Sequence, residues 1–149
     1  NVFSGYYGNP EETARTLTPD GWLRTGDLVS FDDEGYMYIT GRIKNLIILG
    51  NGENVSPESI EEKYYLEPSV KDCLVKEDEV DGEMVIAIEI LPQAAYLEEN
   101  RIEDPEGFFR KLVAEINRTM PTTHQVRKVT VRKEDFKRTG SMKVSRNQE

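Results

Sequence analysis

Asp27, Arg42 and Lys143 are the side chains whose types and settings suit an anionic, hydroxyl-bearing ligand. Asp27 follows the glycine of Thr25-Gly26-Asp27, in or beside a strand. A carboxylate so placed can accept two hydrogen bonds from a vicinal diol, as acidic residues in dinucleotide sites do from ribose. Arg42, in Gly41-Arg42, carries a planar cation matched to phosphate or sugar oxygens. Lys143 stands in Thr139-Gly140-Ser141-Met142-Lys143, a small-residue loop able to place one ammonium deep in a cleft. Taken singly, each also has an ordinary structural role: a turn-stabilising aspartate, a surface ion-pair partner, a lysine in a solvated tail. No Gly-rich phosphate loop of Walker spacing occurs, and a single histidine, His124, leaves no Ser/His/Asp or Cys/His set to assemble. Cys73 and His124 cannot make a zinc cluster, so no metal site is expected.

Composition narrows the field further. The 149 residues carry a formal net charge of -9, with 37% hydrophobic and 32% charged side chains. A chain of this length buries about 68–70% of its unfolded surface, enough for one real core but not a large two-domain enzyme. Its acidity argues against general nucleic-acid binding, which needs a basic footprint. No run of about 18 apolar residues is present to span a membrane. The start, Asn1-Val2-Phe3-Ser4, lacks an initiator Met, a basic region and an apolar stretch. It is therefore no signal peptide and reads as part of a longer chain. One cysteine suits a reducing compartment. Residues 126–146 run against the acidic trend, with Arg127, Lys128, Arg132, Lys133, Lys137, Arg138, Lys143 and Arg146 against Glu134 and Asp135. Such a basic tip fits an anionic small molecule or a complementary protein surface, a solvated tail being the plain alternative.

Hydrophobic periodicity supplies the elements that must position these groups. Residues 22–31 and 36–40 read as two strands around Asp32-Asp33-Glu34-Gly35, a reversal ended by glycine and solvated by acids. The wholly apolar run 46–49 predicts a strand buried on both faces, broken by Gly50-Asn51-Gly52. Ser56-Pro57-Glu58 starts a helix, with Ser as cap and Pro at the first position, running to about Leu66 before Pro68. Residues 70–76 and 83–91 alternate as strands joined at Asp81-Gly82. Pro105 opens a helix, with Phe108, Phe109, Leu112, Val113 and Ile116 on its core face, that ends near Met120. Val126, Val129 and Val131 mark a last strand. The order predicts an α+β layer architecture, a small sheet with helices on one or both faces. A composition break near Gly41-Arg42 places a domain boundary there, giving 1–41 and 42–149. Cys73 is expected in the core and His124 on the surface. Phe108 and Phe109 read as helix core, one of them free to face another domain, and Tyr64-Tyr65 as either core or docking surface.

Thr25-Gly26-Asp27-Leu28, Asp33-Glu34-Gly35-Tyr36, Gly41-Arg42-Ile43-Lys44, Gly52-Glu53-Asn54-Val55-Ser56-Pro57 and 139–146 resemble, in order, the C-terminal motifs of the AMP-forming acyl-CoA synthetases. Asn1-Val2 to Gly5-Tyr6-Tyr7, with Pro10-Glu11-Glu12-Thr13, is similar to the segment leading into the first motif. The resemblance spans nearly the whole chain. It implies a small mobile lid domain, with a short mixed sheet flanked by helices, preceded by a β-hairpin from the end of a large N-terminal domain. It also implies a two-step ligation in which a carboxylate and ATP give acyl-AMP and pyrophosphate, and the thiol of coenzyme A then displaces AMP. Asp27 matches the residue that binds both ribose hydroxyls and Arg42 a second ribose contact. Lys44 matches the hinge, Gly52 the loop lining the pantetheine tunnel, and Lys143 the catalytic lysine of the adenylation step. Arg146 follows that lysine at the family spacing.

The implied partners are a fatty acid, ATP and coenzyme A, with Mg2+ held mainly by the missing N-terminal domain, which is itself a partner. The implied setting is the cytoplasm, peripheral membrane association being compatible with it. Residues 41–47 and 51–55 resemble the long-chain fatty-acid branch. Two departures stand out: Lys137-Arg138-Thr139 replaces Pro-Lys-Thr, and Met142 replaces the glycine before the lysine, a glycine often absent in long-chain enzymes. The alternatives are a synthetase for another carboxylate, transfer to a carrier protein, or a non-catalytic binding domain. Retention of Asp27, Arg42 and Lys143 together argues against the last. Alone, this part of the enzyme is expected to be inactive.

Overall fold

The computed structural model describes residues 3–140 and 144–146, and the chain divides into two units, Asn1–Lys44 and Asn45–Glu149. In the first, helix α1 (Pro10–Thr16) forms without an apolar stripe, and periodicity gave no sign of it. Its start is fixed locally: Asn9 accepts a hydrogen bond from the Glu12 amide at 3.0 Å, Pro10 fills the first turn, and Glu11 and Glu12 sit at the positive end of the dipole. Strands β1 (Asp27–Phe31) and β2 (Met37–Arg42) pair antiparallel. β1 begins later than the apolar residues from Trp22 predict, because that stretch forms its own turn. There Thr18 N–H donates to the Trp22 carbonyl at 2.9 Å and Leu17 bridges Leu23. Asp32 does more than solvate the hairpin turn. Its Oδ1 accepts from the Glu34 and Tyr36 amides at 3.0 and 2.8 Å, and its Oδ2 from the Tyr38 hydroxyl at 2.9 Å. Gly41 is the one buried residue of this unit among those described, while Phe31, Tyr36, Met37 and Ile39 are all well exposed. Contiguous apolar surface of this kind marks an interaction face rather than a finished exterior.

The second unit opens with β3 (Ile47–Ile48) and β4 (Asn54–Val55), a two-residue antiparallel ladder. The expectation of a strand buried on both faces is corrected here: Ile47 is 4% exposed, Ile48 63%. Successive strand side chains point to opposite faces, and only one face of so short a ladder meets the core. Helix α2 (Pro57–Tyr65) follows from its Ser56 cap position as predicted. Strands β5 (Val70–Val80) and β6 (Glu83–Pro92) form a long hairpin around Asp81 and Gly82, both at positive φ (53° and 81°). That is the turn whose twist matches the strands, and it favours the Asp-Gly pair. After α3 (Ala94–Glu99), a short helix the sequence did not signal, and α4 (Pro105–Asn117), strand β7 (Val126–Val131) pairs parallel to β6. The sheet is therefore mixed, in the order β5-β6-β7. A parallel neighbour requires a crossover connection, and α3 and α4 provide it.

Strand alternation divides the core in two. Cys73, Val75, Ile86, Ile88 and Ile90 share a cluster with Ile60 and Tyr64 of α2 and Phe109, Val113 and Ile116 of α4. Phe108 packs against that cluster partly buried, so the helix face is as expected. Leu74 and Leu91 point the other way, onto Phe136 and Val144 of the C-terminal segment. Helices thus cover one face of the sheet, and the segment after β7 covers the other. Among the described residues no helix is long and apolar enough to cross a membrane. Ile88→Ala, which empties a fully buried position on the central strand, is expected to cost about 2–5 kcal/mol in urea unfolding of this chain. Ile48→Ala is expected to stay within about 0.5 kcal/mol, and equal costs would contradict the division of the apolar run.

Candidate functional site

A slip in the hairpin brings Asp27 and Arg42 together. Phe31, Ser30 and Val29 oppose Met37, Tyr38 and Ile39 in strict order. The register then shifts past Thr40, so that Leu28 faces Gly41 and Asp27 faces Arg42. Without that bulge Asp27 would oppose Gly41, and a one-residue change sends side chains to the other face. With it, Arg42 Nε stands 3.1 Å from Asp27 Oδ1, the aspartate side chain 21% exposed and the arginine 54%. Gly26 at φ 75° turns the chain into β1, its carbonyl accepting from the Ile43 amide at 2.9 Å. The result is an acceptor and a planar donor side by side on adjacent strands. That arrangement can take a diol on the carboxylate while the guanidinium orients it. An exposed pair like this adds little stability on its own.

Lys44 is exposed within a single 3-10 turn, Ile43–Asn45, and is the last residue of the first unit. Gly52 lies in the loop between β3 and β4. Its amide donates to the Leu49 carbonyl at 2.8 Å, and its φ of 80° is one that L side chains rarely adopt. A Cβ at Gly52 would meet nothing within 4 Å, so the backbone requires the glycine and packing within the chain does not. Glu53 ties this loop to the turn Thr122–His124: Thr123 Oγ1 donates to Glu53 Oε1 at 3.0 Å, and His124 Nδ1 lies 3.8 Å from the same oxygen. His124 reaches the surface as expected but only in part, its side chain 29% exposed and its Nδ1 3.1 Å from Thr123 Oγ1. Cys73 is buried in the core as expected. Tyr64 is core, whereas Tyr65 is 48% exposed, its hydroxyl donating to Asp72 and to the Cys73 carbonyl.

Lys143 lies outside the described residues, but both ends of its loop are described. Arg138 and Val144 form an antiparallel bridge, and the Ser145 amide donates to the Lys137 carbonyl at 2.8 Å. Arg138 pairs with Asp72 on β5. Arg146 reaches furthest. Its Nη1 donates to the Val75 carbonyl at 2.9 Å, and its Nη2 lies 3.0 Å from both Glu61 Oε2 and Glu58 Oε1. Glu61, 8% exposed, also accepts from the Val75 amide at 2.8 Å. Glu58 in turn accepts from Asn45 Nδ2 at 2.6 Å and from Ser56 Oγ at 3.0 Å. Burial pushes the Glu61 carboxyl above the usual range, which Arg146 and the Val75 amide only partly offset. Glu58 also loses solvation, yet the hydrogen bond from Asn45 and the charge of Arg146 hold it below that range. Sequence reasoning did not find Glu58 or Glu61. The one available signal was a carboxylate, Glu61, next to Ile60 on the apolar side of a helix.

Asp27, Arg42 and Lys44 thus belong to the first unit, and Gly52 and Lys143 to the second. Residues 44–149 match the model of the AMP-binding enzyme C-terminal domain. The chain is 41% identical over 117 residues to the medium-chain fatty-acid–CoA ligase of Escherichia coli K12, covering 76% of this chain and 20% of that protein. It is 42% identical over 97 residues to the sulfoacetate–CoA ligase of Cupriavidus necator, covering 64% and 19%. Among solved structures, the O-succinylbenzoate coenzyme A synthetase of Bacillus subtilis in complex with AMP superposes with a TM-score of 0.78 at 26% identity, over 99% of this chain and 28% of that one. The chain therefore spans about a fifth of the length of the curated relatives it matches.

Because Glu58 titrates below its ordinary value in the folded chain, its contribution is present above the unfolded range, about pH 4.3, and is lost as pH falls through the depressed value. The gap in Tm between the wild type and Glu58→Gln should be widest near pH 7 and close on acidification; a gap independent of pH would contradict the network.

Proposed function

This chain belongs to the AMP-binding enzyme C-terminal domain family, and from that membership we propose that it is the swinging lid, with the end of the large domain, of an AMP-forming acid–thiol ligase. The apposition of Asp27 and Arg42 across the β-bulge carries the proposal. The carboxylate takes the ribose hydroxyls of the nucleotide and the guanidinium holds it in place. In the first step a substrate carboxylate oxygen attacks the α-phosphorus of ATP and pyrophosphate leaves. In the second, the thiol sulfur of coenzyme A attacks the acyl carbon and AMP leaves. Lys143 supplies positive charge where negative charge crowds in the first transition state, a role worth about 10²–10³ in rate, or about 2.7–4 kcal/mol. Lys44 is the hinge, consistent with its place at the end of the first unit, and Gly52 lines the thiol passage with bare backbone. The exposed apolar face of the β1–β2 hairpin is covered by the remainder of the large domain.

Among the described residues no three acidic or soft ligands stand together. Magnesium bound to the ATP phosphates would be held mainly by the large domain and by the nucleotide itself. We take the acid to be a medium- or long-chain fatty acid, a reading supported by the similarity to the medium-chain fatty-acid–CoA ligase. The equally similar sulfoacetate–CoA ligase supports a second reading, in which the acid is another small carboxylate. The lone, buried Cys73 is consistent with work in a reducing cytoplasm.

In the full-length enzyme, Lys143→Ala should lower carboxylate-dependent pyrophosphate exchange by about 10²–10³-fold and leave thioester formation from supplied acyl-AMP intact. Equal loss of both steps would remove the assigned role. Lys44→Pro fixes φ near -65° and should slow the thiol step most; an undiminished second half-reaction would place the hinge elsewhere.

A further inference from the structure

We propose that Arg146 and Glu61 are positioning residues for Lys143, an ion pair that fastens the lysine loop to the lid and, through Glu58 and Asn45, to the residue that follows the hinge. The inference rests on the reading of Lys143 given above. The chain around the lysine is anchored on both sides. Before it, Arg138 bridges Val144 and pairs with Asp72, and Phe136 packs on Leu74 and Leu91. After it, Val144 joins the same apolar cluster, and Arg146 grips Glu61, Glu58 and the Val75 carbonyl. Only residues 139–143 lie between the bridged positions.

The fork of Arg146 spans two elements. One nitrogen is on β5, at Val75, and the other is on α2, at Glu58 and Glu61. Glu61 makes the reciprocal link, since it also accepts from the Val75 amide. A guanidinium offers donors in a fixed plane, and a lysine could reach only part of this set. Asn45 completes the chain of contacts at 2.6 Å from Glu58, one residue beyond Lys44. Polar contacts thus run unbroken from the residue after Lys44 to Arg146, three positions beyond Lys143. Displacement of a catalytic group by about 1 Å can cost about 10² in rate, so the fastening acts on the chemistry without touching substrate.

The test uses the full-length enzyme and measures each half-reaction alone. Arg146→Ala and Glu61→Gln should each lower kcat for pyrophosphate exchange, by up to about 10²-fold, with KM for ATP unchanged and thioester formation from acyl-AMP retained. Arg146→Lys should recover part of the loss. In a Lys143→Ala background, Arg146→Ala should cost adenylation nothing further, since the group being positioned is gone. Glu61→Gln keeps the side chain's shape and serves if Arg146→Ala does not fold. Wild-type exchange rates in folded variants, parallel loss of both half-reactions, or a full additional loss in the Lys143→Ala background would each overturn the inference. If Lys143→Ala itself exchanges normally, the underlying reading falls. If it is crippled while the Arg146 and Glu61 variants are not, only the positioning role does.

Discussion

Glu61 is a carboxylate withdrawn from water, and the second unit is arranged around the groups that compensate it. The Val75 amide and the Arg146 guanidinium meet its two oxygens from different parts of the chain. That single side chain therefore joins α2, β5 and the C-terminal segment. Removing the guanidinium leaves the largely buried Glu61 carboxylate without its counter-charge, whereas replacing both partners of such a pair with apolar groups is often neutral. The asymmetry argues that the pair is retained for placement and not for stability. An apolar plug could hold the layers together, but it could not direct a chain end to one position.

The two faces of the β5-β6-β7 sheet divide the labour. One carries the main core beneath α2 and α4; the other is closed by Phe136 and Val144, on either side of the lysine loop. Glu89 on β6 extends the theme at the surface, taking Lys76 from β5 and Arg132 from beyond β7. Arg132 also lies 4.5 Å above the Phe136 ring, fixing the start of the C-terminal segment a second time. The first unit contrasts with this. It has a hairpin and a capped helix, with Gly41 alone buried among its described residues, and local hydrogen bonds such as those of Asp32 shape its turn.

The elements legible in the sequence are those set by local chemistry. Pro57 and Pro105 open helices where expected, and Asp81-Gly82 reverses the long hairpin because both residues must take positive φ. What escaped was set at a distance. The bulge at Thr40 has only the weak signature of Gly41 inside a strand, yet it decides which residue faces Asp27. Arg146 and Glu61 are 85 positions apart, and no periodicity connects them. The run 46–49 was misread because hydrophobicity reports that a side chain avoids water, not how many strands lie beside it. Asp27 and Arg42 stand out in the sequence only through the resemblance of motifs, since each alone has an ordinary structural role; their apposition is what the structure adds.

Cys73 gives this architecture a built-in chemical stopwatch. It is 1% exposed, lies in the core cluster with Ile60 and Tyr64 of α2, and has its sulfur 3.8 Å from the Glu61 carbonyl; burial pushes its thiol far from ionisation. A thiol so enclosed reacts with an alkylating reagent only while the helix and strand part. The rate at which this one sulfur is labelled therefore counts the openings of the seam that Glu61 closes, with no added probe and no second cysteine to confuse the signal.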